Sequence, residues 1–427
     1  MEKRQAHDSV AVRRRNLGLV LRHIAEHGPC ARTEIASATG LSHASVTTMV
    51  TDLATRGLIA EGGILNDGSR GRPRRLLRLI PHRATTIAVQ ITSEHLRVAV
   101  ADLAGTILWQ ATTPHHAAAP PTPAHVAAAE SLAAPHDVAA GSPGAMADAI
   151  AVLVRRAQAA APVGAQLVRL AVAMAGPVGD DEAQTVLVAT DFGWLRPVRL
   201  RALLAARLPE LGCPIDVIND ANAAALAEYH AHPRRPRGVV YIAAGTGIGG
   251  GVVLDGTIHT GSRGIAGEPG HMPVAFDGPP CVCGARGCLV CYAGPDAVLT
   301  AAGLGQTLRR EGVTSAADRL TEALARRDER ALAAVDTAGR ALGTAILSST
   351  SLLDLDEVIL GGLLAQWFPW LEPVIRHQFA GRRALVPTAE PDVTRALLGA
   401  DAALSGVIEF ARRAALSDPA TVARRPR

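Results

Sequence analysis

The chain has 427 residues, enough for about three units of ordinary domain size, and a core of that size needs no disulfide staples. Apolar residues make up 48% but aromatics only 3%, so the core must be built from Ala, Val, Leu and Ile. The net charge of +4 hides an asymmetry: residues 1–83 carry a net +7 and the rest a net −3, which suggests a polyanion-binding module on a near-neutral body. No run of about 18 apolar residues is free of Gly and charge, and Met1 to Val10 has no apolar stretch. Neither a membrane span nor a secretory signal is expected, and the reducing cytoplasm is the expected compartment.

Residues 10–27 carry an apolar stripe at Val12, Leu17, Val20, Leu21 and Ile24, which predicts a helix stopped by Gly28-Pro29. Thr33 is expected to cap a short helix through Ala38, ended by Gly40. Ser42 is expected to cap a second helix to about Thr55, buried along Val46, Met49, Val50 and Leu53. Leu58–Ala60 and Leu76–Leu79 read as a hairpin with a basic tip from Asn66 to Arg75. Helix, short turn, helix and basic hairpin make the plan of a winged helix-turn-helix over residues 1–82. Ser42, His43, Ser45, Thr47 and Thr48 are short polar residues early on the second helix, suited to base edges and phosphates in a major groove. Arg70, Arg72 and Arg74 on the hairpin can enter a minor groove or neutralise phosphates. Double-stranded DNA is the expected partner; the alternative is a protein-interaction module with a solvated basic hairpin.

From residue 84 the pattern changes. Thr86–Thr92, His95–Ala101 and Thr106–Gln110 read as three consecutive strands, followed by an Ala/Pro/His-rich surface insertion over 111–146. A helix (about 146–160), a strand (Leu167–Ala173), a helix near 197–207, a strand (Ile215–Ile218) and a helix (Ala221–Tyr229) come next. After the linker 232–237, strands at Val239–Ala243 and Gly251–Leu254, helices over 295–350, a strand at Val358–Leu360 and a last helix over about 396–416 repeat that order. Two similar α/β lobes with a cleft between them are therefore expected. The boundaries are 83–232 for the first lobe, 233–395 for the second, and 396–427 for a C-terminal helix returning to the first lobe and a tail.

Two constellations in the body carry chemistry. Cys281, Cys283 and Cys288 lie in Gly/Pro-rich sequence, and His271 ten residues upstream can complete a tetrahedral Cys3His site for structural zinc, leaving Cys291 surplus. A local disulfide or inert cysteines are the alternatives. The run Gly245–Gly251 between two strands can let backbone N–H groups approach a phosphate, or can simply turn a hairpin. Asp220, in Ile218-Asn219-Asp220-Ala221-Asn222 at the end of a strand, is either a general base or part of a helix cap.

Asn219–Ala224, Gly245–Gly251, Gly267-Glu268-Pro269-Gly270-His271 and Cys281–Cys288 stand in the order and spacing of the ROK family, a name formed from repressor, open reading frame and kinase. The resemblance covers about residues 84–416, and Gly71-Arg72-Pro73 resembles the wing of repressors of the xylose and N-acetylglucosamine type. It implies a two-lobed, ribonuclease-H-like sugar-kinase fold with a sugar in the cleft. By position, Asn219 and Asp220 resemble the residues that bond sugar hydroxyls, Glu268 the glutamate that reads the ring, and His271 the residue shared by sugar and zinc. In kinase members the aspartate matching Asp220 is the base.

Three departures bear on function. Kinase members carry Asp-x-Gly-Gly-Thr after the first strand, where this chain has Gln90-Ile91-Thr92-Ser93-Glu94. A family glutamate that contacts sugar is replaced by Val290, and the family's Asn-Leu-Gly-Trp reads Asp191-Phe192-Gly193-Trp194. The expectation is a sugar-responsive repressor of carbohydrate-metabolism genes without kinase activity, acting as a homodimer or homotetramer on an operator. Its effector would be a small sugar or sugar phosphate. The alternative is an ATP-dependent sugar kinase with a DNA-binding arm and Asp220 as catalytic residue.

Overall fold

The computed structural model describes residues 2–65, 74–115, 141–381 and 390–425. The N-terminal part has helices α1 (Glu2–His27), α2 (Arg32–Thr39) and α3 (His43–Thr55), with strands β1 (Cys30–Ala31), β2 (Ile59–Leu65) and β3 (Arg74–Leu79) in the order β1-β3-β2. Leu17, Val20, Leu21 and Ile24 of α1 bury against Val46, Met49, Val50 and Leu53 of α3, as the periodicity predicts. One local expectation is corrected. Helix α2 starts before Thr33, because the Glu34 carboxylate reaches back to accept from the Ala31 N–H (3.0 Å) and so satisfies the helix start without Thr33. The hairpin closes with Leu65 opposite Arg74; its tip, with Arg70 and Arg72, lies outside the described residues.

The body contains the same sheet twice. Strands β4 (Ala84–Ile91), β5 (His95–Asp102), β6 (Ile107–Pro114), β7 (Gln166–Met174) and β8 (Ile215–Asn219) pair in the order β6-β5-β4-β7-β8. Strands β9 (Gly238–Ala244), β10 (Ile248–Leu254), β11 (Thr257–Ile258), β12 (Glu357–Gly362) and β13 (Asp392–Arg395) pair in the order β11-β10-β9-β12-β13. In each sheet the first three strands are antiparallel and the last two join parallel to the first. β6 continues to Pro114 in register with His95, four residues into the segment expected as insertion, and the next helix starts at Pro143; residues 116–140 lie outside the described residues. Among the described residues no helix is long and apolar enough to cross a membrane.

One helix, Ala402–Ser417, gathers these parts. Leu404, Val407, Ile408 and Ala411 bury against the first sheet, whose face there is Ala88, Ala99, Ala101, Ala171 and Ala173. The same helix crosses the helix Asp220–Ala231 at Gly406, where a Cβ would lie 1.7 Å from the Ala223 carbonyl oxygen. It crosses α1 at Ser417, whose carbonyl oxygen would lie 2.3 Å from a Cβ on Gly18. Beyond it, residues 418–425 run along the N-terminal module. Arg56 donates to the carbonyl of Ala420 (3.0 Å), Arg83 to that of Ala423 (2.8 Å), and the Arg425 N–H to that of Thr55 (3.0 Å). Gln166 of β7 clasps the same strap through the Thr421 carbonyl and the Ala423 N–H. Asp52 is buried beneath it and pairs with Arg13 (2.9 Å), Arg56 (3.0 Å) and Arg424 (3.2 Å). Burial alone would raise the Asp52 carboxyl; the three guanidiniums outweigh it and hold it below its ordinary value.

The Gly406 crossing has no room for a methyl group. Gly406→Ala should cost at least the ~1–3 kcal/mol typical of overpacking. Denaturant unfolding should show a lowered midpoint; an unchanged midpoint would mean that the crossing does not constrain the fold.

Candidate functional site

The parallel strands of each sheet end together. Ile91 pairs with Met174 and Met174 with Asn219; in the other sheet Ala244 pairs with Gly362. In open α/β sheets, loops at these ends bind ligands. Asn219 closes β8 and caps the following helix: its Oδ1 accepts from the Asn222 N–H (2.9 Å) and its Nδ2 donates to the Gly176 carbonyl (2.9 Å). Most of this side chain is thus committed to the loop and the cap. Asp220 follows, with Oδ1 accepting from the Ala221 N–H (2.8 Å). Burial, partly offset by that bond and reinforced by the Asp191 carboxylate, pushes the Asp220 carboxyl up to about 6. Burial, and then the Asp220 carboxylate, pushes Glu268 up to about 7. Carboxyls titrating near neutrality can both donate to and accept from hydroxyl groups.

The glycine run divides into two roles. Gly245-Thr246-Gly247 is a tight turn between β9 and β10, closed by Gly245 N–H donating to the Gly247 carbonyl (3.0 Å). Gly251 instead lets β10 pack on the Asp220 helix, because a Cβ there would meet that of Ala225 at 2.7 Å. At the turn, the Thr246 hydroxyl donates to Asp191 Oδ2 (2.8 Å), a hydrogen bond from one lobe to the other. Asp191 sits on a short loop anchored by buried Phe192 and Trp194. The sequence reading noted Asp191 only as a departure from a family pattern; the cleft uses it as a bridge.

The turn after β4 spans residues 92–94, and its acidic side chain, Glu94, is exposed and stands 3.9 Å from His95 Nδ1. Thr92 Oγ1 accepts from the His95 N–H (2.9 Å), which closes the turn. Gln90 Oε1 accepts from Arg97 (3.2 Å), and Arg97 also pairs with Asp401 and donates to the Ala400 carbonyl (3.1 Å). A guanidinium network therefore binds this end of the first sheet to the start of the C-terminal helix. Sequence reasoning missed it, because residues 97 and 401 are brought together only by that helix's return.

His271, Cys281, Cys283 and Cys288 converge, with one ligand atom from each and all four atoms within 4.8 Å of one another. Cys281 Sγ lies 3.5 Å from His271 Nδ1, and Cys283 Sγ lies 3.6 Å from Cys288 Sγ. Those separations exclude a disulfide, whose sulfurs lie about 2 Å apart. Burial lowers the His271 imidazole, which favours the neutral ring that ligates a metal. Cys291 is not one of the four; its thiol donates to the Pro280 carbonyl (3.8 Å) and lies beside Cys281, which, after burial, raises it. The cluster is a candidate metal centre directly after the loop that carries Glu268.

On α3, Ser42, His43, Thr47 and Thr48 are exposed and Ser45 is half-buried. Ser42 caps the helix by accepting from the Ser45 N–H (3.2 Å), while Thr47 and Thr48 donate to the carbonyls of His43 (2.9 Å) and Ala44 (3.0 Å).

Asp220 gives a pH test with a definite sign. Its folded value near 6 lies above its ordinary 3.8, so between about pH 4 and 6 the folded state holds a proton that the unfolded state has lost. Stability from this group therefore falls as pH rises through that window and stays reduced above it. Asp220→Asn should raise the unfolding midpoint above pH 6 and leave it unchanged below pH 4; equal curves for both proteins across the range would remove the buried-acid description.

A model of the ROK family matches residues 86–414, and a model of the MarR family matches residues 18–65. An N-acetylmannosamine kinase from Vibrio cholerae serotype O1 is 30% identical over 194 residues, 44% of this chain; the match spans only 64% of that kinase. The xylose repressor of Bacillus spizizenii is 25% identical over 296 residues, 68% of this chain and 69% of the repressor. A crystal structure of a ROK family transcriptional regulator, a homolog of the E. coli MLC protein, superposes with a TM-score of 0.75 at 22% identity, covering 96% of this chain and 98% of that one, and shows a shared fold. With the duplicated sheet, the Asp220 helix and the histidine–cysteine cluster all inside the matched span, the chain belongs to the ROK family.

Proposed function

We propose that this protein is a sugar-responsive, DNA-binding transcriptional regulator, a repressor of carbohydrate-metabolism genes without kinase activity. The observation that carries this reading is the winged module strapped onto a ROK body whose first strand has, in the slot where kinase members carry an aspartate, Gln90 bonded to Arg97 of β5. Transfer of a phosphoryl group needs metal and positive charge at the phosphates. Here Arg97 is already paired with Asp401. The likeness to a xylose repressor over two thirds of both chains supports the same reading. Ser42, His43, Ser45, Thr47 and Thr48 would face the major groove, with Arg70, Arg72 and Arg74 on the wing. Two protomers would address the halves of a palindromic operator.

The sugar would lie in the cleft against Asp220 and Glu268, with the free N–H of Asn219 and the outer nitrogen of His271 at its edge. Buried hydroxyls require such partners. Binding can shift the DNA modules only through unequal affinity for two lobe arrangements. The Asp191–Thr246 hydrogen bond marks where the lobes touch in the present one.

Zinc fits the histidine–cysteine cluster. Tetrahedral bonds of about 2.0–2.3 Å put ligand atoms about 3.5–3.8 Å apart, and the two short separations are 3.5 and 3.6 Å. His271, Cys281, Cys283 and Cys288 would hold it as a structural ion with every position filled by protein, tying the Glu268 loop to the Cys288 end. Cys281→Ser should lower bound zinc well below one per chain by elemental analysis and blunt the response to sugar. Full zinc stoichiometry in that variant would remove the ion from this reading.

Selection of genomic fragments by the purified protein, followed by release with a panel of sugars, tests the function as a whole. Arg72→Ala should weaken retention of those fragments and flatten its salt dependence by roughly one phosphate contact. Unchanged retention would take the wing out of the interface. The kinase reading is favoured by Asp220 and by the resemblance to N-acetylmannosamine kinase. A coupled phosphorylation assay that shows turnover lost in Asp220→Asn would establish it instead.

A further inference from the structure

A cavity of about 450 Å³ opens where the N-terminal module and both lobes meet, behind the Asp220 helix. Arg22 reaches it from α1, Phe410 and Arg413 from the C-terminal helix, Thr257 and Thr260 from the far end of the second lobe's hairpin, and Asp180 from the loop after β7. Asn219 borders both this cavity and the cleft described above, but Asp220, Glu268, His271 and the cysteines are not in its wall. Among the described residues Arg22 makes no ion pair or hydrogen bond. Arg413 donates to His230 Nε2 (2.8 Å) and stands 3.9 Å from Glu409. Burial, the largest effect, and the neighbouring arginines lower His230 despite Glu409, so it accepts as a neutral ring and leaves the Arg413 charge in place. Asp180, exposed, contributes a carboxylate to the rim of the same cavity. Two guanidiniums thus face one rim carboxylate across a wall that also carries threonine hydroxyls and the Phe410 ring. Asn222, also in the wall and nine-tenths buried, has an Oδ1 that no protein donor satisfies.

We propose that this cavity is a second ligand site, built for a small phosphate monoester of a polyol or sugar. Guanidiniums match phosphate oxygens in geometry as well as in charge, and hydroxyl groups suit the carbon chain. The volume lies within the ~300–1,000 Å³ of ordinary metabolite pockets. Arg22 belongs to the DNA-binding module and Arg413 to the helix that spans the body, so an ester held between them favours the docked arrangement. Its regulatory consequence, though not its binding, rests on the regulator reading. By linkage, the ester changes operator affinity by the same factor as the operator changes ester affinity.

Calorimetric titration of the full-length protein tests the site. The probes are glycerol 3-phosphate, glucose 6-phosphate and inorganic phosphate, with glucose and potassium chloride at matched ionic strength as controls. The esters should bind, and Arg22→Gln should weaken them about tenfold or more while leaving the melting temperature of the free protein unchanged, since Arg22 has no partner to lose. Asp220→Asn should abolish a response to glucose and leave ester binding intact, so failure of the cleft reading and failure of this one are separable. Equal ester affinity in Arg22→Gln, competition between glucose and the esters, or no ester binding up to about 10 mM would each overturn the proposal.

Discussion

The close crossings of the C-terminal helix are the constraint on which the rest of the molecule depends. At Gly406 it lies against the backbone of the Asp220 helix, and at Ser417 it lies against Gly18 of the first helix of the winged module. Backbones this close transmit displacement because no side chain can absorb it. The Asp220 helix in turn packs on β10 through Gly251, so the second lobe joins the same chain of contacts. Cleft, lobes and winged helix are therefore mechanically continuous through one helix. A single element with two arrangements along that path would suffice to couple a ligand to DNA.

The strap after this helix closes the circuit. Asp52 would be costly to bury alone; three guanidiniums compensate it, one of them from the tail, and removing a partner from such a site typically costs about 3–5 kcal/mol. The basic end of the chain is thus only partly a surface for polyanions. Arg13 and Arg56 serve Asp52, Arg14 pairs with Asp418, and Arg75 pairs with Glu61.

The cleft concentrates acidity. Burial, reinforced by the Asp191 carboxylate at Asp220 and by the Asp220 carboxylate at Glu268, pushes these two carboxyls up toward neutrality. Asp191 gains a hydrogen bond from Thr246, so the residue that departs from the family pattern also makes a contact between the lobes. The glycine run that suggests a phosphate loop is largely explained by a three-residue turn and by helix packing.

Much of this was legible from residues alone. The apolar stripes, the Ser42 cap, the repeated strand order and the histidine–cysteine spacing are local patterns, set by periods of two and 3.6 and by turn chemistry. The sequence therefore determined the winged helix, the duplicated α/β body and the candidate metal cluster. It did not reveal the Asp52 cluster, the Gln90–Arg97–Asp401 network, the Asp191–Thr246 bridge or the strap on Gln166. Each includes at least one partner tens to hundreds of positions away, and no periodicity encodes which distant segments meet. Asn219 shows the same limit at one residue: its type and position suit a ligand contact, but only the tertiary structure shows its oxygen committed to the helix cap and one N–H to Gly176, with the second N–H left over.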